Sequence, residues 1–422
     1  MAGLGRSFTY LWSSAALSNL GDGVLKVGAP LLAVTMTRSP AQVAMVGAAA
    51  TLPWLLLALP AGAVADRMDR RRVMALANAG RAGGLAAAGA LAASGVLNLW
   101  LMLLAVLVAG VAEVFADTAA QAVLPMTVPP DRLAAANGRV VGAQTVGNDF
   151  AGAPLAGVLV TLLPAAVLAG PALLYGAAAL SLAGMRGRFR ATRPPSAGRG
   201  AGAMRREIGE ALRYLWGHRF LRTLAVSAGV LNAASAAYFG VLVLWLVGEG
   251  SRVGLEPGGY GLMMTALAAG AVAGSLVSER AVRLLGEGRT LVVMWMISAL
   301  LYLVPVLLPV AWLLYPTAVV WGVAGATANV LVISTRQRLI PAELLGRVNS
   351  AYRLIGMGGM PVGAALGGVV AEVAGLPVVF LGSAAAAVAA VCLIWRVAPV
   401  RISGPLTSDH TVDPTPGSLS AH

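Results

Sequence analysis

The sequence GAVADRMDRRRV at residues 62–73 is a short charged stretch between two long apolar runs. It holds four arginines and two aspartates within twelve residues. The runs beside it, 41–65 and 73–95, are long enough to cross a bilayer, which takes about 20 apolar residues in a helix. The stretch is therefore predicted to be a turn at a membrane surface that joins two membrane helices.

The composition of the whole chain indicates a polytopic membrane protein. Of its 422 residues, 58% are hydrophobic and 11% are charged, whereas a soluble domain carries about 25% charged residues. The formal net charge of +13 is spread over short loops without interleaved aromatic residues. This distribution argues against nucleic-acid binding and favours a role in membrane topology.

The sequence offers no set of residues for enzymatic chemistry. Cys392 is the only cysteine and the three histidines lie far apart, so no metal site is predicted. The sequence also contains no nucleophile–base set, phosphate-cradling glycine loop or Walker lysine motif. We therefore expect a protein that is not an enzyme, has no cofactor and draws its energy from an ion gradient.

Apolar runs of membrane-spanning length predict an all-α membrane protein with twelve transmembrane helices. The predicted spans are 8–36, 41–65, 73–95, 98–124, 138–162, 164–184, 221–247, 258–279, 290–309, 311–335, 350–373 and 375–397. With the N-terminus inside, the outer loops contain only Arg38 and Arg252, and the other loop arginines are cytoplasmic. The positive-inside rule therefore places both termini in the cytoplasm.

An internal repeat with an offset of 212 residues divides the chain into two similar parts. Gly62 corresponds to Gly274, VPPDRLAAANG at 128–138 corresponds to IPAELLGRVNS at 340–350, and Gly147 corresponds to Gly359. We predict an N-terminal six-helix bundle (1–184), a cytoplasmic linker with an amphipathic helix (185–220), a C-terminal six-helix bundle (221–398) and a disordered tail (399–422). The two bundles are expected to be parallel copies about an axis along the membrane normal.

The first span carries two charges, Asp22 and Lys26, within SNLGDGVLK. An unpaired charge at this depth costs about 2.5–3.5 kcal/mol on insertion scales, so each must face a partner or a wet cavity. Their spacing of four residues also allows them to pair on one helix face. Asp22 is thus a candidate for proton coupling and Lys26 for lining a cavity, with a structural ion pair as the alternative.

The fourth span presents a polar stripe of Glu113, Asp117 and Gln121 at four-residue steps. Glu113 is the deeper acid, and a carboxyl group in low-dielectric surroundings can exchange a proton near neutral pH. Gln121 is a candidate for lining a cavity. Arg81 in the third span is another, and we expect it to meet one of these acids. The alternative is that the stripe only holds helices together.

Further polar residues are weaker candidates. Asp149 in GNDFAGAPLAG is a third candidate for proton coupling, in a segment whose glycine and proline residues predict close packing and a kink; its alternative is a packing role. Asn232, Tyr238 and Asn329 are candidates for lining the cavity, although single residues of these types often bond a neighbouring helix.

With this repeat, topology and charged turn, the chain resembles the major facilitator superfamily over about residues 8–398. The family signature between its second and third helices is roughly G-x-L-A-D-R-x-G-R-K/R. It is matched here by Gly62, Val64, Ala65, Asp66, Arg67, Arg70 and Arg71, with Asp69 where glycine is usual. An aspartate at that position, together with LSNLGDG in the first span, is similar to the macrolide-efflux and siderophore-export branch of the drug:proton antiporters.

The resemblance implies roles for the turn that sequence spacing does not supply. It implies that Gly62, Asp66, Arg67, Arg70 and Asp117 form a gate. Asp66 would dock against the eleventh helix and Arg70 would pair with Asp117, which would latch the outward-open state. The antiporter signature on the fifth helix is degraded here to Ala153, Pro154, Gly157 and Val158.

The sequence therefore predicts a monomeric, multi-pass secondary transporter of the bacterial cytoplasmic membrane. The expected function is proton-coupled efflux of small amphipathic molecules or drugs by alternating access, with protons and the lipid bilayer as the other partners. Two alternatives are a proton symporter that imports a small nutrient and a membrane sensor or scaffold that transports nothing.

Overall fold

The computed structural model describes residues 4–187, 189–190, 209–210 and 212–397, without the side chains of a few helical residues, Asp66 among them. These residues are helical apart from their connections and one isolated bridge between Val247 and Leu255. The predicted tail 399–422 and most of the predicted linker 185–220 lie outside the described residues.

Long helices occupy all the predicted spans. The first half of the molecule consists of α1 (Arg6–Met36), α2 (Pro40–Arg67), α3 (Arg70–Ala93), α4 (Leu99–Val123), α5 (133–162) and α6 (Ala166–Ala183). The second half consists of α7 (Arg219–Leu246), α8 (Pro257–Leu285), α9 (Glu287–Leu301), α10 (Ala311–Leu339), α11 (Ala342–Ala374) and α12 (Leu376–Trp395). Nine helices in the described part of the chain are long and apolar enough to cross a membrane.

The fifth helix, α5, is a single rod built from three contiguous segments. An α-helix at Leu133–Thr145 continues into a π-helix at Val146–Gly152 and then into an α-helix at Ala153–Leu162. Pro154 is the second residue after the π-helix, and as a proline it lacks one backbone donor of the helix ladder. The predicted disturbance of this helix is thus present as a π-helix, a feature often associated with functional sites, and it contains Asp149.

Helix packing in the first half recurs in the second half. The pairs α1–α6, α2–α4 and α3–α4 correspond to α7–α12, α8–α10 and α9–α10. Gly147 and Gly359, which the repeat aligns, are packed in the same way. An added methyl group would lie 2.9 Å from the Leu20 backbone nitrogen at Gly147 and 2.3 Å from the Gly229 carbonyl oxygen at Gly359. Each glycine lets its helix lie close to the first helix of its own half.

The two halves meet mainly at one end of the bundle, which we call the arginine-poor end because it holds the loops 37–39 and 247–256. Here α2 packs on α11 and α5 packs on α8. Small residues permit both crossings: a methyl group added to Gly261 would lie 2.5 Å from the Ala153 carbonyl oxygen, and one added to Gly368 would lie 2.7 Å from Ala44.

Hydrogen bonds reinforce this contact. Ser39 Oγ donates to Glu372 at 2.7 Å, the Ala41 N–H donates to the same carboxylate at 3.2 Å, and Arg38 donates to the Val247 carbonyl at 3.2 Å. Among the described residues, the hydrogen bonds and close glycine contacts that join the halves involve only positions 38–55 and 149–157 of the first half. The opposite end, which carries the turn 62–73, has no such bond between described residues.

Candidate functional site

Arg81 is the centre of a buried charged cluster inside the first half. Its side chain is 1% exposed, and its Nη2 donates to Asp22 Oδ1 and lies 3.6 Å from Glu113 Oε2. Tyr175 completes the arrangement because its hydroxyl accepts from Arg81 Nη2 at 2.8 Å and donates to Asp22 Oδ1 at 2.7 Å. The guanidinium carbon of Arg81 also lies 3.8 Å from the centre of the Tyr175 ring, in a cation–π contact.

Glycines on α1 allow the neighbouring helices to reach this cluster. A methyl group at Gly21 would lie 3.0 Å from the Tyr175 ring, and one at Gly23 would lie 2.4 Å from the Asn148 carbonyl oxygen. The segment LGDG thus brings α6 against one side of Asp22 and the π-helix of α5 against the other. Larger residues at these positions would separate the helices that carry the charges.

The polar stripe on α4 is only partly drawn into the cluster. Glu113 lies near Trp54 of α2 and its side chain is 32% exposed, compared with 17% for Asp22. Asp117 is half-buried and interacts electrostatically with Asp22 and Arg81. Gln121 lies one turn farther along and is exposed. The expectation that Arg81 meets an acid of this stripe agrees with these contacts, but Arg81 is buried and does not line a cavity.

Lys26 and Asp149 form a second charged pair, one helical turn from Asp22 along α1. Lys26 Nζ lies 4.0 Å from Asp149 Oδ1, and the side chains are 72% and 40% exposed. The suggested pairing of Asp22 with Lys26 is therefore wrong, since Arg81 holds Asp22 from inside the first half. The backbone carbonyl of Asp149 accepts a hydrogen bond from Thr265 of α8 at 3.3 Å, which places this pair beside the contact between the halves.

The charged turn is anchored to the chain segment that follows α6. The Asp69 carboxylate accepts from the Arg72 N–H at 3.2 Å, capping α3, and from the Phe189 N–H at 3.2 Å. Arg190 donates to the Arg67 carbonyl oxygen at 3.0 Å. The aspartate that replaces the usual glycine thus has a structural role in this turn.

The other predicted gate residues show a different arrangement from the one the resemblance implied. Arg70 reaches α4 through the Ala122 carbonyl oxygen at 3.3 Å, and the expected ion pair of Arg70 with Asp117 does not form between these two described side chains in this conformation. Gly62 has open space on its side-chain face. The Asp66 side chain lies outside the described residues, so its docking on α11 stays a prediction.

The predicted cavity residues of the second half have three different surroundings. Asn232 Nδ2 donates to the Gly356 carbonyl of α11 at 2.9 Å and so bonds a neighbouring helix. Tyr238 is 2% exposed, with its ring centre about 5 Å from those of Tyr302, Trp321 and Phe380. The cavity role of Tyr238 is therefore wrong, because the ring forms part of an aromatic core. Asn329 is exposed on α10.

Comparison with known proteins identifies the family of this chain. Residues 4–414 match the sequence profile MFS_3, of a family described as transmembrane secretion effectors. The chain belongs to this family. It is 28% identical over 403 residues to the multidrug efflux pump Tap of Mycobacterium tuberculosis and of Mycobacterium bovis, with 90% of each chain covered. It is also 34% identical over 139 residues to an uncharacterised MFS-type transporter of Mycobacterium tuberculosis, over 32% of this chain and 31% of that one.

Solved structures share the fold with this member of the family. A bacterial homologue of the iron transporter ferroportin in an inward-facing state has a TM-score of 0.72 at 16% identity, covering 93% of this chain and 98% of that one. The nucleoside transporter NupG has a TM-score of 0.67 at 14% identity, covering 93% and 98%. These likenesses concern the fold alone. The match to the family profile and the similarity to Tap identify the protein as a major facilitator transporter and a multi-pass protein of the bacterial inner membrane.

Three residues of the site were not predicted from the sequence. Tyr175 lies in an apolar run of α6, Thr265 in an apolar run of α8 and Trp54 in an apolar run of α2, where aromatic residues and threonine are common. A single tyrosine or threonine in a membrane helix gives no periodic signal. The one available clue was the count of charges. Arg81 faces more acids than it can neutralise alone, so a further hydrogen-bonding partner was to be expected.

Proposed function

We propose that this transporter exports small amphipathic molecules by alternating access, driven by proton entry. Its similarity to Tap over 90% of both chains supports export, since Tap carries the name of a multidrug efflux pump. One proton moving through 100 mV releases about 2.3 kcal/mol, which can sustain roughly a 50-fold gradient of a neutral solute.

We propose that all twelve long helices cross the membrane and that both termini are cytoplasmic. Arginine asymmetry between the loops supports this orientation. The arginine-poor end then faces outward, and the contacts described there close the transporter on that side. The structure would accordingly correspond to an inward-open state, with two six-helix halves that rock about the site between them.

The observation that carries proton coupling is the cluster of one guanidinium with several carboxyl groups. Arg81 can neutralise one carboxylate, whereas three acids interact with it electrostatically: Asp22, Glu113 and Asp117. Several like charges around a single cation in a buried site favour proton uptake by one of them. We assign proton exchange to Glu113, because Asp22 is fixed by both Arg81 and Tyr175 while Glu113 is farther from Arg81 and more exposed.

The experiment that tests this function uses purified protein in liposomes with an imposed proton gradient and a panel of amphipathic fluorescent dyes. Export predicts that dye leaves the compartment facing the end of the bundle that carries the turn 62–73, and that this movement depends on the gradient. Glu113→Gln is expected to abolish the dependence on the gradient while leaving downhill exchange of dye. Asp131→Asn serves as the comparison, since this carboxylate is 75% exposed and lies outside the Arg81 cluster, so its variant should keep the dependence.

Other outcomes would distinguish the alternatives. Uptake of a polar nutrient with protons, in place of dye efflux, would favour a symporter. No gradient-driven movement of any solute in a correctly folded protein would contradict transport by this mechanism and would leave the sensor or scaffold. Retention of coupling by Glu113→Gln would overturn the assignment of the proton to that residue.

A further inference from the structure

The pair of Lys26 and Asp149 has a composition and placement that differ from those of the Arg81 cluster. Lys26 is the only lysine among the 30 basic residues of the chain. The Lys26 side chain is 72% exposed although it lies within α1, and the Asp149 side chain is 40% exposed within the π-helix of α5. Both are open to solvent, whereas Arg81 is enclosed.

The position of this pair between the halves identifies what it faces. Thr265 of α8 donates to the Asp149 carbonyl oxygen, so this part of α5 borders the second half directly. Towards the arginine-poor end from here, α5 packs closely on α8 through Gly261 and Ala153. Lys26 and Asp149 therefore lie where the contact between the halves ends and the open side begins.

From this geometry we propose that Lys26 and Asp149 form the recognition site for zwitterionic amphipathic substrates, which carry an acidic and an amino group on one apolar body. The inference rests on the proposed transport function and names the substrate class that the same site accepts. The acidic group would bind Lys26 in place of the Asp149 carboxylate. The amino group would bind Asp149 in place of the Lys26 ammonium group.

Charge balance is the reason why a zwitterion fits better than an ion of one sign. At 4.0 Å between exposed groups, the present contact is weak enough to be exchanged. A ligand with a single charge would capture one partner and leave the other without the opposite charge that it now faces. A zwitterion leaves neither charge unpaired, so the net charge of the site is unchanged when it binds.

The same placement connects ligand binding to the contact between the halves. Asp149 presents its carboxylate to Lys26 and its backbone carbonyl to Thr265. Gly23 and Gly152 hold α1 against the π-helix, since a methyl group at Gly152 would lie 2.6 Å from the Gly23 Cα atom. A ligand that moves Asp149 away from Lys26 would therefore act on a segment that also joins the halves.

The test compares four forms of one fluorescent coumarin-bearing α-amino acid: the free zwitterion, its cationic methyl ester, its anionic N-acetyl derivative and the neutral doubly blocked form. Equilibrium binding to detergent-solubilised protein is measured by fluorescence polarisation, without any gradient. We expect the zwitterion to bind at least about tenfold more tightly than either singly charged form, because one charge-assisted contact contributes about a factor of ten.

Variants identify the residue behind each preference. Lys26→Met should abolish the advantage of the free acid over the methyl ester, and Asp149→Asn should abolish the advantage of the free amine over the N-acetyl form. Lys26→Arg should keep both preferences, since it retains the charge. Circular dichroism and monodisperse elution confirm that each variant is folded.

Equal binding of all four forms by the wild-type protein would overturn the proposal, as would a zwitterion preference that survives both Lys26→Met and Asp149→Asn. Dye export in liposomes is measured separately. A protein that binds the zwitterion selectively but moves no solute would contradict the proposed function alone, and one that exports dyes without this selectivity would contradict the recognition site alone.

Discussion

Replacement of Arg81 by glutamine is expected to destabilise the first half more than replacement of any single acid beside it. Arg81 is 1% exposed and forms ion pairs with Asp22 and Glu113, and its guanidinium group lies over the Tyr175 ring. Removing one partner of a buried ion pair costs about 3–5 kcal/mol, because the remaining charge is left without compensation. Arg81→Gln should therefore lower the free energy of unfolding by an amount in this range.

Asp22→Asn should cost less, about 1.5–3 kcal/mol, the range for a hydrogen bond to a charged group. In that variant Arg81 keeps Glu113 at 3.6 Å and the Tyr175 hydroxyl at 2.8 Å. The double variant Arg81→Gln/Asp22→Asn should be more stable than the sum of the two single effects predicts, because each single change leaves a charge that the double change removes.

Chemical unfolding in detergent, followed by circular dichroism, measures these four proteins as a double-mutant cycle. Two results would refute the reasoning. One is an Asp22→Asn variant that loses as much stability as Arg81→Gln. The other is additivity of the two changes to within about 0.5 kcal/mol, the value typical of residues that do not interact.

Three further predictions concern the surroundings of this cluster. Tyr175→Phe keeps the ring beside Arg81 but removes the hydroxyl, so gradient-driven dye export should fall, and Tyr175→Leu, which also removes the ring, should reduce it further; equal rates for the two variants would count against the ring. Gly23→Ala should prevent folding, because its methyl group would meet the Asn148 carbonyl at 2.4 Å, whereas Gly62→Ala has open space and should elute as the wild type does. Glu372→Gln should weaken the contact between the halves at the arginine-poor end and increase labelling there by an impermeant reagent; unchanged labelling would argue against a latch.

The fold could be predicted from the sequence because its signals are long and repeated. Each predicted span contains a long helix, and the alignment of Gly147 with Gly359 anticipated the equivalent packing of α5 on α1 and of α11 on α7. The repeat worked as a predictor because close helix contact requires a glycine at both equivalent positions. The extent of the halves' contact could not be predicted, since it depends on the conformational state.

The site was only partly predictable, because side-chain partners depend on distances between helices. The sequence identified Asp22, Lys26, Arg81 and Glu113 as charges that need a partner, but their spacing suggested that Asp22 would pair with Lys26 on α1. Arg81 belongs to α3 and Asp22 to α1. Spacing along the chain therefore gave no indication that these two side chains are paired. Tyr238 was misassigned because an aromatic core and a cavity wall draw on the same residue types.

The helices that are less apolar than the rest are informative about function. Among the described residues, α1, α3 and α5 are absent from the nine apolar helices, and they carry Asp22, Arg81 and Asp149. A charge lowers the apolar character of its helix, and it is tolerated only where other helices shield it from lipid. In α3 the shielding concerns the charge itself, since Arg81 is 1% exposed although many other residues of that helix are exposed. The α4 helix is strongly apolar in spite of Glu113, so a strongly apolar helix also contributes to the site.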